Sequence, residues 1–400
     1  MLSYKFKLYV NKKKNRKLRK IVNECGLTFN HCVRFQKKYY GMYKKHLHKF
    51  SMINHIKKIK DKNISRTSYL KRIPSQACQQ VIIRVDESYR AFFKWAKAKK
   101  GGRKSPPKMK KIRKFKSFTL VQAGWSIEGD NKIRIVDTIY KFHRSSNVQG
   151  QIKTITVKQD SVGDWWLIFT TDPSKSLDNI KDNKKFTYME KFKKDDERRS
   201  HIRAATGKSA GYDFGLMTYL TSSEGKAQDI ENPQFLKQGM KKLKRLSKKH
   251  SKRKRGSKNR QKSRKALARF HRRVTWYRED FLKKTARKIC LENDALYFED
   301  LNIKGMQQHK NWGRKINDLA FSNFMVYLEH KASELGTSLI KVDRYFPSSK
   351  LCNCCGYKNT ELGKKDRTWT CPECKTEHDR DRNAAINIKR EGASSQRRGK

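Results

Sequence analysis

Two pairs of cysteines, Cys352 with Cys355 and Cys371 with Cys374, are separated by fifteen residues in a chain of 400. Each pair has the C-x-x-C spacing of a metal knuckle, a short turn that offers two thiolates to one ion, and two knuckles complete a tetrahedral site. A stretch this short cannot bury a sufficient core, so residues 350–377 are predicted to form a four-thiolate zinc ribbon in which the metal replaces a core. Four thiolates leave no open coordination position, which makes the expected zinc structural. Cys354 is surplus, and register allows it to exchange with Cys355. Gly356 favours Cys355, because knuckle turns need a residue tolerant of positive φ. Cys25, Cys32, Cys78 and Cys290 lie scattered among apolar residues and read as small buried hydrophobes. An odd total of nine, with no secretory signal, argues against a disulfide framework.

The charge balance narrows the partners. Lys and Arg number 98 against 37 Asp and Glu, a formal charge of +61. Such a value excludes an ordinary metabolic enzyme and calls for a polyanion. From Lys237 to Arg278 there is no acidic residue, while Leu243, Leu246, Ala266, Leu267 and Phe270 keep helical spacing. A long helix or helix pair with a cationic face is expected there, a rail for phosphates. No run of about 18 apolar residues occurs, so no membrane span is predicted and a cytoplasmic, nucleoid-associated protein is expected.

Periodicity divides the chain. Leu18, Ile21, Val22, Cys25, Phe29, Cys32 and Val33 mark one amphipathic helix; a second starts at Pro74 and Ser75 and carries Cys78, Ile82, Val85, Tyr89, Phe92 and Ala96 on one stripe. The glycines, prolines and cations of 101–116 predict a basic linker or phosphate strap. From Phe118 to Thr171 the period becomes two, the mark of a small antiparallel sheet that the strand at Met1–Val10 can join, leaving the helices as an insertion. Trp165 and Trp166 are both read as core. Periodicity fails between Pro173 and Lys208, where a charged linker and domain boundary are placed.

In so basic a chain an acid on an apolar strand is conspicuous. Asp213 lies in Ala210-Gly211-Tyr212-Asp213-Phe214-Gly215-Leu216, and Glu299 ends Leu296-Tyr297-Phe298-Glu299. Asp379 and Asp381 follow the ribbon at an apparent helix start, His378-Asp379-Arg380-Asp381-Arg382-Asn383-Ala384-Ala385. Phosphodiester hydrolysis is well served by two divalent ions about 4 Å apart, and hard Mg²⁺ takes carboxylates. Taken singly, each acid is as readily a cap or a loop charge.

Together these stretches, with Phe298-Glu299-Asp300-Leu301-Asn302-Ile303-Lys304-Gly305-Met306 and the block from Tyr345 through the cysteines to Ile388, resemble the TnpB (OrfB) family, RNA-guided nucleases of insertion sequences related to miniature type V CRISPR effectors. The resemblance implies an α+β multidomain chain. A RuvC-like nuclease domain of RNase H fold occupies 209–349 and 378–392 and is interrupted by the zinc ribbon at 350–377. A wedge-like β-module, 1–12 and 117–175, is itself interrupted by a helical recognition lobe at 13–100. Linkers at 101–116 and 176–208 and a disordered tail at 393–400 complete it. The family's metal-binding acids carry over to Asp213, Glu299 and Asp381, the last preferred to Asp379 because one residue separates it from Asn383-Ala384-Ala385. The function implied is an Mg-dependent, RNA-guided DNA endonuclease, expected as a monomer, with guide RNA and target DNA as partners and two catalytic Mg ions expected. The alternatives are an RNA-guided DNA-binding repressor without cleavage and a basic zinc-ribbon RNA-binding protein.

Overall fold

The computed structural model describes residues 1–62, 65–98, 105–145, 148, 150–172, 205–310, 312–363 and 366–398. The chain forms two compact units, Met1–Arg199 and Ser200–Lys400. The expected charged linker at 176–208 lies, up to 204, outside the described residues.

In the first unit β1 (Leu2–Tyr9) is followed by α1 (Lys12–Tyr43), α2 (Lys49–Asp61), the single turn α3 (Tyr69–Arg72) and α4 (Ser75–Lys97). The Asn11 side chain caps α1 by accepting from the Lys14 N–H. Helix α1 buries Leu18, Val22, Cys25, Phe29, Cys32 and Val33, the predicted stripe without Ile21. Helix α4 buries its stripe only as far as Tyr89; Phe92 is half-buried and Ala96 exposed, because the helix there outruns what it packs against. Six further strands follow: β2 (Ser117–Leu120), β3 (Trp125–Ile127), β4 (Lys132–Ile135), β5 (Thr138–His143), β6 (Gln151–Gln159) and β7 (Trp165–Asp172). They form one sheet in the order β2-β6-β7-β1-β5-β4-β3, with β1 antiparallel to both β7 and β5. Helices and sheet share one apolar core.

Two expectations need correction here. Trp165 is buried, but its neighbour Trp166 is half-buried, with the Lys5 ammonium 4.5 Å from its ring centre. Successive strand residues face opposite sides, so both could not join one core. The strap is no free linker over its described part. Asn30 and Lys110 exchange two hydrogen bonds of 2.8 Å, and Phe115 packs edge-on against Phe29. Gly26 makes this docking possible, since a Cβ there would stand 2.9 Å from the Phe115 ring.

The second unit begins with β8 (Ser209–Phe214), β9 (Thr218–Ser222) and β10 (Ile230–Glu231). The acid-free stretch is a helix pair, α5 (Phe235–Ser251) and α6 (Lys258–Glu292). No residue of α5 is fully buried, whereas α6 buries Leu282, Ala286, Ile289 and Cys290 beyond its cationic half. Then come β11 (Ala295–Glu299), α7 (Ile303–Gln307), α8 (Gly313–Leu319), α9 (Phe321–Leu335) and β12 (Ser338–Val342). The sheet order is β10-β9-β8-β11-β12, with β8, β11 and β12 parallel and β9 antiparallel to β8. The short hairpin β13 (Thr368–Thr370) and β14 (Glu377–Asp379) leads into α10 (Arg380–Arg398).

Helix α10 lies directly on the sheet, because a Cβ on Gly211 of β8 would stand 2.4 Å from the Ala385 carbonyl oxygen and one on Gly392 would strike Tyr297. The expected disordered tail is overturned as far as Arg398. The helix continues past 393, held by the Tyr297 hydroxyl 3.0 Å from Gln396 Oε1. Among the described residues no helix is long and apolar enough to cross a membrane.

Candidate active site and metal centre

Strands β8 and β11 run parallel with Tyr212 opposite Phe298. The next residue on each strand is an acid, Asp213 and Glu299, so two carboxylates leave the sheet side by side at its carboxyl edge. Neighbouring strands lie about 4.8 Å apart, and the carboxyl ends of parallel strands are where open α/β sheets bind ligands. Apolar rings hold both strands in place, with Tyr212 stacked on Phe298 and Phe214 against Phe321.

Asp381 arrives from elsewhere, in the first turn of α10. The close approach at Gly211 brings that turn to the same edge. Burial, then the charges of Asp381 and Glu299, push the Asp213 carboxyl up to about 8. Burial and the adjacent Asp300 raise Glu299 to about 7. Like charges gathered in a poorly hydrated place keep protons unless a cation replaces them. The carboxylates do not all lie within 4.8 Å of one another. The Arg367 guanidinium stands 3.2 Å from Asp381 Oδ2, a cation already against the third acid.

Other acids have visible structural work. Asp379 accepts from the Arg382 N–H at 2.8 Å, a helix cap, and is exposed. Asp294 accepts from the backbone of Thr206 and Gly207, and Asp300 pairs with Arg344. Beside Glu299 opens a cavity of about 310 Å³ lined by Phe214, Glu299, Asp300, Lys304, Lys341 and Arg344, with cations on its lip.

Cys352, Cys355, Cys371 and Cys374 converge, their sulfurs all within 4.8 Å of one another. The Cys352–Cys374 and Cys355–Cys371 separations are 3.5 and 3.6 Å. Zinc–sulfur bonds of 2.3 Å at tetrahedral angles require about 3.8 Å between sulfurs, and a disulfide about 2 Å. The four cysteines therefore fit a structural zinc. Both knuckles are built alike. Gly356 at φ 81° and Lys375 at φ 59° donate to the carbonyls of Cys352 and Cys371, each four residues earlier. Thr376 holds the Cys374 thiol down to about 6. Cys354 is exposed, its sulfur 3.1 Å from Asn353 Oδ1.

Three residues, one on β14 and two on α10, fasten this centre, and none had a local mark in the sequence. Buried His378 places Nε2 3.1 Å from Cys352 Sγ and its ring against Trp369. Asn383 accepts from the Asn353 N–H and donates to the Leu351 carbonyl, and Asn387 donates to the carbonyls of Ser348 and Leu351. Burial pushes the His378 pKa down, which keeps the imidazole neutral and able to donate Nε2–H to a thiolate. Such partners of metal ligands govern affinity by about 10- to 100-fold. His378→Ala is therefore expected to bind zinc at least tenfold more weakly, read by competition with a chromogenic chelator; unchanged affinity would remove that role.

Residues 191–310 match the family OrfB_IS605, described as "Probable transposase", and residues 321–388 match one described as "Cas12f1-like, TNB domain". A Streptomyces pristinaespiralis protein named as a candidate RNA-guided DNA endonuclease is 38% identical over 184 residues, 46% of this chain and 45% of that one. InsQ of Escherichia coli K12, named likewise, is 23% identical over 403 residues, 96% of this chain and 91% of its own. The mimivirus TnpB-like protein L770 is 27% identical over 66% of this chain and 57% of its own. The match thus spans less than half the length of the first of these relatives. A chain from the cryo-EM structure of a Cas12f1–sgRNA–target DNA complex shares the fold, with a TM-score of 0.52 over 95% of this chain and 83% of that one at 15% identity. The segment that carries Asp213 and Glu299 is thus similar to the OrfB_IS605 family, and the segment that carries the cysteines and Asp381 to the Cas12f1-like TNB domain, in line with the resemblance to TnpB (OrfB) proteins.

Proposed function

We propose that the chain is an RNA-guided DNA endonuclease that carries a structured guide RNA, recognises a short motif beside its target and cuts as a monomer through one Mg²⁺-dependent site made by Asp213, Glu299 and Asp381. The observation that carries this reading is the carboxyl edge where β8 and β11 each carry an acid and α10 adds a third whose charge is felt at Asp213. In this reading residues 209–349 and 378–392 are the RuvC-like domain, the ribbon at 350–377 is inserted in it, and the seven-stranded sheet is the wedge.

The carboxylates are oxygen donors of the hard type that Mg²⁺ takes. Bound there, the metal supplies an acidified water and charge stabilisation for the leaving oxygen. The chain's own residues do the rest. Asp213 and Glu299, fixed on strands, set the position of the reacting phosphate, while Asp381 enters only if the ribbon seats α10. Lys304 and Lys341 on the cavity lip meet the flanking phosphates. The cationic α5–α6 pair tracks nucleic-acid backbone without reading sequence, and guide pairing does the reading.

Expression with the native flanking DNA, sequencing of copurified RNA, and strand scission in Mg²⁺ against EDTA test the proposal together. A defined RNA ending in a variable segment, with scission at its complement in Mg²⁺ alone, is expected. The same RNA with target binding but no scission would establish the guided repressor instead, and random host RNA would overturn guidance altogether.

A further inference from the structure

Along the ends of α1 and α4 the helical half of the first unit carries a row of aromatic rings in which Tyr40 and Tyr43 are exposed and Tyr39, Phe92 and Phe93 half-buried, Phe93 at the margin of the core. Tyr40 and Tyr43 at the end of α1 are 43% and 55% exposed. Tyr43 stands on Tyr39 one turn earlier, ring centres 4.7 Å apart. Tyr40 meets Phe93 of α4 at 5.9 Å, and the row continues through Phe92 to Trp95 at spacings of 5.5 and 6.4 Å. Exposed Lys37, Lys38, Lys44, Lys45 and Lys94 flank these rings, and no acid occurs between Glu24 and Asp61.

Asp86 of α4 is already paired with His46 and Arg90, and rings among an excess of exposed cations suit a ligand that is anionic and offers flat π-faces. A second copy of the chain would bring the same cations and be repelled. A duplex offers charge but keeps its base faces stacked internally. Unpaired bases on a phosphate backbone offer both, and aromatic side chains bind them with little regard to sequence. We propose that the strip of Tyr39, Tyr40, Tyr43, Phe92 and Phe93 is a stacking platform for unpaired nucleobases of single-stranded nucleic acid. This deepens the proposed function, on which it rests, by giving the helical lobe a ligand of its own.

The test uses the full chain with its copurified RNA and measures anisotropy of fluorescein-labelled twelve-residue oligothymidine, oligouridine and a duplex of equal length. Tyr40→Ala with Tyr43→Ala is expected to weaken single strands about tenfold or more and leave the duplex unchanged, while Tyr40→Phe with Tyr43→Phe retains binding. Whichever single strand loses more identifies RNA or DNA as the source. Equal losses for single strand and duplex, no loss at all, or a protein dimer in sedimentation that the alanine pair dissolves would each overturn the platform. Guided Mg²⁺-dependent scission by the wild-type chain reports on the cutting site separately, so failure of stacking with scission intact sinks only this inference.

Discussion

Asp213→Asn is expected to abolish strand scission, by about a thousandfold or more, to leave RNA binding unchanged, and to make the metal-free second unit more stable. The kinetic loss follows from removing one of three ligands to ions that supply several kcal/mol of transition-state stabilisation, at about 1.4 kcal/mol per tenfold. The gain in stability follows from the raised carboxyl. In the unfolded chain Asp213 titrates near 3.9; folded, it titrates near 8. Between those values the folded state holds a proton that the unfolded state has released, so stability falls as pH rises from about 4 through 8. Asparagine carries no such penalty. Its advantage is absent near pH 4 and largest above pH 8, on the order of 1–3 kcal/mol once solvent screening of a half-buried group is counted. Calorimetry at pH 5 and pH 8.5, with and without Mg²⁺, reads this directly. Mg²⁺ should raise the wild-type melting temperature at pH 8.5 and barely move the variant's. Scission should also climb between pH 6 and 8 as Glu299, near 7, and Asp213 ionise to hold the metal. A clean variant that still cuts, or one less stable than wild type at pH 8.5, would remove Asp213 from the site.

Much of this arrangement is visible in local pattern because local pattern reports burial. Asp213 and Glu299 stand out because each interrupts an apolar strand, and an acid there needs a reason. The cysteine spacing marks the zinc centre, and Gly356, which does adopt positive φ, marks Cys355 as the ligand position. Long-range fits leave no such mark. Nothing in Gly211 announces that α10 will press on it, nor in Arg367 that it will face Asp381 fourteen residues on. His378 looks like an ordinary residue ahead of a helix until its nitrogen is seen on Cys352. The errors share this cause. The strap reads as a linker because Asn30 lies eighty residues from Lys110, and the tail reads as disordered because Tyr297 lies far from Gln396. Asp379 against Asp381 is likewise a question of direction. Asp379 accepts from the Arg382 N–H, whereas Asp381 pairs with Arg367 and its charge is felt at Asp213.

The ribbon bears on the same edge without containing a single one of its acids. Cys371→Ser is expected to lose zinc and, with it, scission, to the level of Asp213→Asn. Cys371 and Cys374 sit in the turn between β13 and β14, and β14 ends at Asp379, two residues before Asp381. Three thiolates cannot close a tetrahedral structural site, and in small zinc modules metal binding supplies about 10–16 kcal/mol of the folding free energy. Without it the hairpin has only Cys352, Leu362, Trp369 and residue 371 as a core. The loop at Leu351–Asn353 then slips from Asn383 and Asn387, and the first turn of α10 loses what orients Asp381. The rest of α10 stays on Gly211 and Tyr297, so the second unit remains folded and the loss is one of geometry. Zinc content by mass spectrometry, amide exchange over 350–381 and scission rates measured on one preparation separate these steps. Exchange should rise in that segment alone. Cys354→Ser should keep its zinc, since the four converging sulfurs do not include it, and loss of zinc there would exchange its role with Cys355. A zinc-free Cys371→Ser that cuts at the wild-type rate would mean that Asp381 is placed by the helix alone, or is not needed at all.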